Sequence, residues 1–193
     1  MEGEALKRKV TILKKKPVVF TFSGMLKVKL LWKSSTDLDL CIFFKKKDGD
    51  VGGVFSSAFR QEISDLGSLS AFPFMLHTGD EDKPDIGNES VEQVKIANLN
   101  KIDTAYVTVL NYGRENRNEN VNFAQDQGRI EILSDSGDYF EAVINSAQQG
   151  LVYNVCSIKN KDGVNSVISE DTAMDIEEAI EKIPGFSLIC KYK

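Results

Sequence analysis

The sequence has little of what metal–thiolate, disulfide or membrane proteins require. It contains one histidine, one tryptophan and three cysteines among 193 residues, and Cys41, Cys156 and Cys190 lie far apart in apolar segments without a CxxC pair. This spacing favours buried free thiols over a disulfide framework or a zinc site. No apolar run approaches the roughly 18 residues that a membrane-spanning helix needs. The segment MEGEALKRKV has two acids and no apolar run after it, which is unlike a secretory signal, and we therefore expect a cytoplasmic protein.

The sequence also lacks the motifs of the common enzyme classes. It has no GxxxxGK[ST] and no GxGxxG after a strand-like segment, so neither phosphate-binding pattern is present. The only histidine, His77, has no nucleophile or acid partner that the sequence marks, and we expect it to order a neighbouring loop by hydrogen bonding. Paired acids are typical of glycosidases, but such sites need sugar-stacking aromatics, and the one tryptophan lies in a strand-like segment. We expect that the protein is not an enzyme.

Charge is distributed unevenly along the chain. The net charge of -5 argues against a general nucleic-acid binder, because phosphate neutralisation requires a basic face. Residues 1–16 carry six basic groups and two acids, whereas residues 80–92 carry six acids and one lysine. The acidic segment is the least ordinary feature of the composition.

Most apolar runs are short and have the period of two that is typical of strands. In Leu26–Trp32, for example, Lys27 and Lys29 alternate with apolar residues. About ten such segments, separated by polar turns, predict a mainly β protein, a β-sandwich of two antiparallel-rich sheets. The predicted strands are Val18–Phe22, Leu26–Trp32, Asp39–Phe44, Phe72–Leu76, Val91–Leu99, Ala105–Tyr112, Arg129–Leu133, Tyr139–Ile144, Leu151–Ile158 and Phe186–Tyr192.

One segment near the C-terminus has helical spacing. Apolar residues recur at the period of a helix between Thr172 and Ile183, Asp171 or Thr172 can cap its start, and Pro184 ends it. We predict one short amphipathic helix over residues 171–184, packed on the sandwich. No domain-separating linker is present, so residues 1–193 are expected to form a single domain, with residues 1–16 as a basic N-terminal segment.

The candidate site begins with the acidic loop HTGDEDKPDIGNESVE at residues 77–92. Gly79 and Gly87 allow the backbone to fold back so that its carbonyls point inward. Calcium takes six to eight oxygen ligands, usually carboxylates with carbonyls and waters. A loop of this composition suits calcium, although most acidic loops are only solvated surface, and this one has no EF-hand spacing.

A second acidic element lies upstream in SSTDLDL. Asp37 and Asp39 are two residues apart at the start of a predicted strand, so both can point outward from one face while Leu38 and Leu40 point into the core. An outward acid pair next to an acid-rich loop predicts a two-segment metal site.

These segments together resemble the TerD family of bacterial tellurium-resistance and general-stress proteins. The resemblance rests on LLWKSSTDLDLCIFF, on HTGD with the acidic loop, and on EQVKIANLNKIDTAYVTVLNY and NFAQDQGRIEIL, and it covers about Val18 to Ser134. It implies a β-sandwich that binds calcium between the DLD and HTGD segments and has a role in stress resistance rather than catalysis.

When the motif residues of the family are matched to this sequence by position, the resemblance implies which residues bind calcium. His77 matches the histidine of the HTGD motif. The family's GEGDGDDE run is replaced here by DIGNESVE, so Ser90 and Val91 stand where acids are expected, and the C-terminal third also diverges. Fewer carboxylates mean weaker calcium binding. The predicted metal ligands are Asp37, Asp39, Thr78, Gly79, Asp80, Asp85, Asn88, Glu89 and Glu92.

Two hypotheses on function remain open from the sequence. The first is a calcium-binding module that serves as a scaffold for other proteins of a stress-response complex. The alternative is a protein–protein interaction module of the same fold that has lost functional calcium binding. The chain also has two basic triplets, Lys14–Lys16 and Lys45–Lys47. If they flank the calcium loop, they could bind an anionic membrane surface.

Overall fold

The computed structural model describes most of the chain, with gaps at both termini and in five internal segments. The described residues are 8–11, 16–33, 36–56, 65–80, 89–111 and 122–190, with the backbone alone described at 8–11, 79 and 80. The predicted ligands Asp85 and Asn88 therefore lie outside the described residues. No helix among the described residues is long and apolar enough to span a membrane.

The described residues form strands and very little helix. A seven-residue α-helix, α1 (Ile176–Lys182), and short 3-10 helices at Phe123–Asp126 and Phe186–Cys190 are the helical elements described. The strands are β1 Arg8–Thr11, β2 Val18–Phe20, β3 Leu26–Trp32, β4 Leu38–Lys46, β5 Val51–Val54, β6 Gly67–Ser68, β7 Met75–Asp80, β8 Ser90–Ile96, β9 Ile102–Asn111, β10 Gly128–Ser134, β11 Asp138–Ile144, β12 Val152–Lys161 and β13 Val164–Met174.

The strands form two sheets that face each other, which confirms the predicted β-sandwich. One sheet has the order β1-β11-β10-β3-β8-β7-β6, and the other has the order β2-β13-β12-β9-β4-β5. All pairings are antiparallel except that of β1 with β11. The sheets enclose one large apolar core that includes Leu30, Leu40 and Val94, all with no exposed surface.

A second, smaller core lies on the outer face of the six-stranded sheet. Because successive strand residues point to opposite faces, Cys41 and Phe43 face away from the main core. There they pack with Ala179 of α1, with Ile183 just after it, and with Phe186 of the 3-10 helix that follows. The C-terminal helical segment therefore covers this face, as expected for a helix packed on a sandwich.

The bounds of the predicted helix were wrong. The helix begins at Ile176, not near Thr172, because Thr172 and Ala173 still pair with β12 as part of β13. Its N-cap is Asp175, whose carboxylate accepts a hydrogen bond of 2.8 Å from the backbone N–H of Glu178. The helix ends at Lys182, one residue before Ile183.

Two strand assignments also needed correction. Phe186–Tyr192 was predicted to close the sandwich as a strand, but Phe186–Cys190 is a 3-10 helix that buries Phe186 and Ile189 against the outer face. The eleven-residue strand Val164–Met174 was not predicted. Its pattern is weak because six of its eleven residues are polar or charged.

The N-terminal end of β4 extends beyond its neighbour β5. The pairing of β4 with β5 runs only from Ile42 to Lys45, whereas the pairing of β4 with β9 begins at Leu38. The first residues of β4 therefore have no strand neighbour on the β5 side among the described residues. The backbone groups that point to this edge need other partners.

Candidate metal site at the start of β4

The two acids of the DLD segment lie at the exposed end of the sandwich where β4 begins, but in different environments. Asp37 is exposed, whereas Asp39 is only 2% exposed. Leu38 and Leu40 are fully buried in the main core, as predicted. Asp39 faces away from the main core, as expected, but it is buried on that outer face. It lies on the outer face with Cys41 and is paired with Leu110 of the second core.

Glu92 reaches the same edge from the other sheet. It is opposite Leu30 in β8, on the inner face, and is 2% exposed. Its Oε2 accepts a hydrogen bond of 2.5 Å from the backbone N–H of Leu40. Glu92 thus replaces the strand partner that β5 does not supply, and it lies next to the DLD segment although the two are far apart in sequence.

His77 contacts the other polar backbone group of Leu40, its carbonyl oxygen. Its Nε2 lies 3.1 Å from the carbonyl oxygen of Leu40 and 3.6 Å from Oε2 of Glu92. A carbonyl oxygen only accepts hydrogen bonds, so Nε2 is the protonated nitrogen. We expected His77 to order the acidic loop, and the hydrogen bond that its ring forms among the described residues is to the DLD segment. We refer to His77, Glu92 and the backbone of Leu40 as the Leu40 clamp.

The residues of the HTGD segment that follow His77 lie at the same end of the sandwich as the start of β4. The register of β7 on β8 shifts between His77 and Asp80, which places the backbone of Asp80 opposite Glu92. Within the shift, the hydroxyl of Thr78 donates to the carbonyl of Gln93 at 3.2 Å. Gly79 and Asp80 follow, and the chain then enters the part of the acidic loop that is not described.

Glu89 has a partner that the sequence did not reveal. Its carboxylate forms a two-pronged ion pair with the guanidinium of Arg129, in which Nη2 donates to Oε2 at 3.1 Å and Nη1 to Oε1. Leu31 of β3 pairs with Arg129, so the contact crosses β3 on the outer face of the seven-stranded sheet. Hydrogen bonding to Arg129 lowers the pKa of Glu89. The two residues are 40 positions apart, and no local signal links them.

Two further contacts secure this end of the sandwich. The indole nitrogen of Trp32 donates to the carbonyl of Thr36 at 2.8 Å, which fixes the turn before Asp37. Asn111 donates to the carboxylate of Asp126 at 3.1 Å, and both side chains are fully buried. Asn111 pairs with Leu38 across β9 and β4, so this buried polar pair adjoins the DLD segment.

The chemistry of these donors fits a hard cation. Asp37, Asp39 and Glu92 offer carboxylate oxygens, which calcium prefers. The thiol of Cys41 is unsuited to binding a soft metal, because its pKa is well above the usual range. Burial is the main cause of this rise, and the charges of Asp39 and Glu92 add to it. No group of three or more His, Cys, Asp or Glu side chains poised for a metal is found among the described residues.

The basic triplet Lys45–Lys47 lies at the opposite end of the molecule. These lysines follow Asp39 by six to eight positions along β4 and the turn after it, which is roughly 20–25 Å at the usual rise of a strand. There, Lys46 pairs with Asp48 and Asp50. A surface cavity of about 390 Å³ is lined by Lys46, Lys47, Asp48, Phe72, Asn100 and Lys101. Lys45–Lys47 therefore does not flank the acidic loop, and Lys14–Lys15 lies outside the described residues.

Solved structures resemble this fold. A homologue of the telluride resistance protein TerD from Streptomyces coelicolor A3(2) superposes with a TM-score of 0.54 at 12% sequence identity, covering 79% of this chain and 91% of that one. A protein of unknown function, SAV2460, superposes with a TM-score of 0.51 at 11% identity, covering 79% and 92%. No family model matches the sequence, and no curated protein matches it.

The molecule is a two-sheet β-sandwich with a C-terminal helical cover. More specifically, it has a TerD-like fold.

Proposed function

We propose that this protein is a calcium-binding module of the TerD type that acts as a binding or scaffold component in a stress response. The observation that carries the proposal is that two acids, both 2% exposed, lie at the start of β4: Asp39 directly precedes Leu40, and Glu92 accepts from the backbone N–H of Leu40. Carboxylates removed from water are costly unless they are paired or coordinate a metal. A divalent cation at the β4 edge would stabilise both in the charged form.

Calcium would be held by the oxygens of Asp37 and Asp39 on one side and of Glu92 on the other. The HTGD turn would supply further ligands from Thr78 and Asp80. Calcium, when bound, supplies a fixed positive charge that organises the acidic loop. The residues of the chain position the oxygens and exclude water from the inner side, where Leu38 and Leu40 are fully buried. The proposed role is one of binding, not catalysis, and we propose that the protein acts in the cytoplasm.

Thermal unfolding tests this proposal, because a ligand that binds only the folded state must stabilise it. Chelator-stripped protein is heated with and without millimolar calcium, with magnesium as the control cation. We expect a calcium-selective rise in Tm that is lost in Asp37→Ala and retained in Asp50→Ala, an acid at the opposite end of β4 that pairs with Lys46. An equal rise in both variants would contradict the proposed location.

A specific observation supports the alternative, a protein–protein interaction module of the same fold without functional calcium binding. Glu89 is already paired with Arg129, and Glu92 already accepts from Leu40, so two of the predicted ligands are engaged within the protein. In this case no cation changes the Tm, and the acidic loop serves as a docking surface. The same unfolding experiment separates the two functions.

A further inference from the structure

We propose a second binding site, for an anionic amphiphile with a single hydrocarbon chain, near the end of the sandwich opposite the start of β4. Two surface cavities meet there at Phe72, which lines both of them. The described lining of one cavity is rich in lysine, and that of the other is mainly apolar. The site does not depend on calcium.

The first, which we call the cationic cavity, has a volume of about 390 Å³ and lies between the turn after β4 and the turn before β9. The backbone N–H of Lys47 donates to the carbonyl of Lys101 at 3.0 Å, so the two turns are joined. Lys46 is already neutralised, because it pairs with Asp48 and Asp50 at 2.9 and 2.8 Å.

The other two lysines of the cationic cavity keep their charge. The Nζ of Lys47 donates to the neutral side chain of Asn160 at 3.0 Å, and neither Lys47 nor Lys101 forms an ion pair among the described residues. Residues 45–50 with Lys101 contain four lysines and two aspartates, a net charge of +2 in a chain whose overall charge is -5. A carboxylate or phosphate group is the ligand that such ammonium groups favour.

The second, which we call the apolar cavity, has a volume of about 420 Å³ and lies between β5 and β6, the edge strands of the two sheets. Its described lining includes Phe44, Val51, Pro73 and Leu188, with Asp65 and Ser68 as its polar side chains. Both cavities have volumes in the range of small-molecule sites, roughly 300–1,000 Å³. A mainly apolar lining suits a hydrocarbon chain.

Exposed apolar side chains cluster along the apolar cavity. Val51, Leu66 and Phe72 are 45%, 42% and 39% exposed, and they are three of the seven large hydrophobic side chains that are exposed among the described residues. Val51 and Phe72 line the cavity, and Leu66 lies between two lining residues in the sequence. Single exposed apolar residues are normal, but a cluster at a cavity marks a binding site.

Phe72 connects the two cavities and is held in position by its neighbours. Its ring packs edge-to-face with the rings of Phe44 and Phe74, at centroid distances of 5.6 and 6.4 Å. The ammonium group of Lys46 lies over the Phe72 ring, 5.6 Å from its centroid. A ligand whose anionic head lies in the cationic cavity therefore extends its chain past Phe72 into the apolar cavity.

A calorimetric titration of the full chain in chelator tests this site, with dodecanoate as the probe below the concentration at which it forms micelles. We expect one dodecanoate to bind per chain. Each buried methylene strengthens binding about fourfold, so octanoate should bind at least about tenfold more weakly. Dodecyltrimethylammonium has the same chain with the opposite charge and should not bind measurably.

Variants test the head and the chain separately. Lys47→Gln/Lys101→Gln removes two exposed charges, and we expect the Kd for dodecanoate to rise about threefold to tenfold with little change in Tm. The matched control Lys29→Gln/Lys95→Gln removes the same charge from the outer face of the seven-stranded sheet and should leave the Kd unchanged. Phe72→Ala should raise the Kd about tenfold, because it removes the apolar contact between the cavities.

Binding that weakens in Lys47→Gln/Lys101→Gln and not in its control supports the proposal. Equal Kd values in the two double variants, or equal binding of dodecyltrimethylammonium, would overturn it, since the probe would then adsorb without using the lysines. Absence of dodecanoate binding would also overturn it. Sedimentation of that protein with phosphatidylserine vesicles would then assign the lysines to a membrane surface. Because calcium is absent throughout, none of these outcomes bears on the proposed calcium function.

Discussion

The carboxylate of Glu92 in one sheet accepts a hydrogen bond from the backbone N–H of Leu40 in the other, across 52 residues of sequence. This contact joins the two sheets at the edge where β4 extends beyond its described pairing with β5. It also brings the acid that ends the loop next to the DLD segment. The candidate cation site and the junction between the sheets are therefore built from the same residues.

Replacing Glu92 should destabilise the protein even without calcium. Glu92→Ala leaves the buried N–H of Leu40 without its acceptor, and we expect a loss of about 2–3 kcal/mol in the free energy of unfolding, measured by urea denaturation in chelator. Glu92→Gln keeps a carbonyl acceptor and should lose less. Equal losses in the two variants would indicate that the charge of Glu92, not its hydrogen bond to Leu40, stabilises the fold.

The ion pair between Glu89 and Arg129 predicts a pH-dependent contribution to stability. Hydrogen bonding to Arg129 lowers the pKa of Glu89 below its value in the unfolded chain, about 4.3, so near pH 4 the folded state binds fewer protons. The contribution is therefore complete above about pH 5 and is lost as pH falls through the lowered pKa.

Because both side chains are about a quarter exposed, at 28% and 26%, we expect the ion pair to contribute only about 1 kcal/mol. Urea denaturation of wild type and Glu89→Gln at several pH values measures it. The difference in stability should be present at pH 7 and should shrink as the pH falls below about 4, through the lowered pKa of Glu89. A difference that stays constant over this range would contradict the assignment.

Gly67 should not tolerate a side chain. Its φ of +75° lies in the left-handed region, and a Cβ there would lie 2.2 Å from the carbonyl oxygen of Met75. We expect Gly67→Ala to lower the free energy of unfolding by about 3 kcal/mol or more, because conformational strain and a backbone clash act together. Gly137 has a φ of +100° with no atom within 4 Å, so Gly137→Ala measures the strain alone, about 1 kcal/mol. Equal effects would exclude the clash.

The corrected start of α1 can be tested at its cap. Asp175→Ala removes the acceptor for the N–H of Glu178 and should cost about 1 kcal/mol. Glu181→Ala, an exposed change within the same helix, should have little effect. If Asp175→Ala is neutral in thermal unfolding, the helix does not begin at Ile176.

Local patterns predicted much of the fold. Leu26–Trp32 was predicted with the observed bounds, because one of its faces is apolar and the other carries Lys27 and Lys29. The period of two was too weak in Val164–Met174, where pairing with both β2 and β12 stabilises a strand that its own residues do not favour. Tertiary context likewise made Phe186–Cys190 a 3-10 helix on the second core.

The candidate site was predicted in part. The sequence identified the DLD and HTGD segments, since acids cluster there. It did not reveal that Asp39 is buried or that Glu92 and His77 meet at Leu40, because these contacts depend on which strands face each other. The same holds for Arg129, whose contact with Glu89 requires β10, β3 and β8 to lie side by side.

A calcium titration followed residue by residue in ¹H–¹⁵N NMR spectra tests the central claim most directly. With chelator-stripped protein, we predict saturable, calcium-selective shifts of the backbone amide signals of Asp39, Leu40 and Glu92. The signals of Lys46 and Lys101 at the opposite end should not change, and magnesium should not reproduce the effect. Unchanged signals at Leu40 and Glu92, or calcium-induced shifts confined to other parts of the sandwich, would contradict a calcium site at the start of β4.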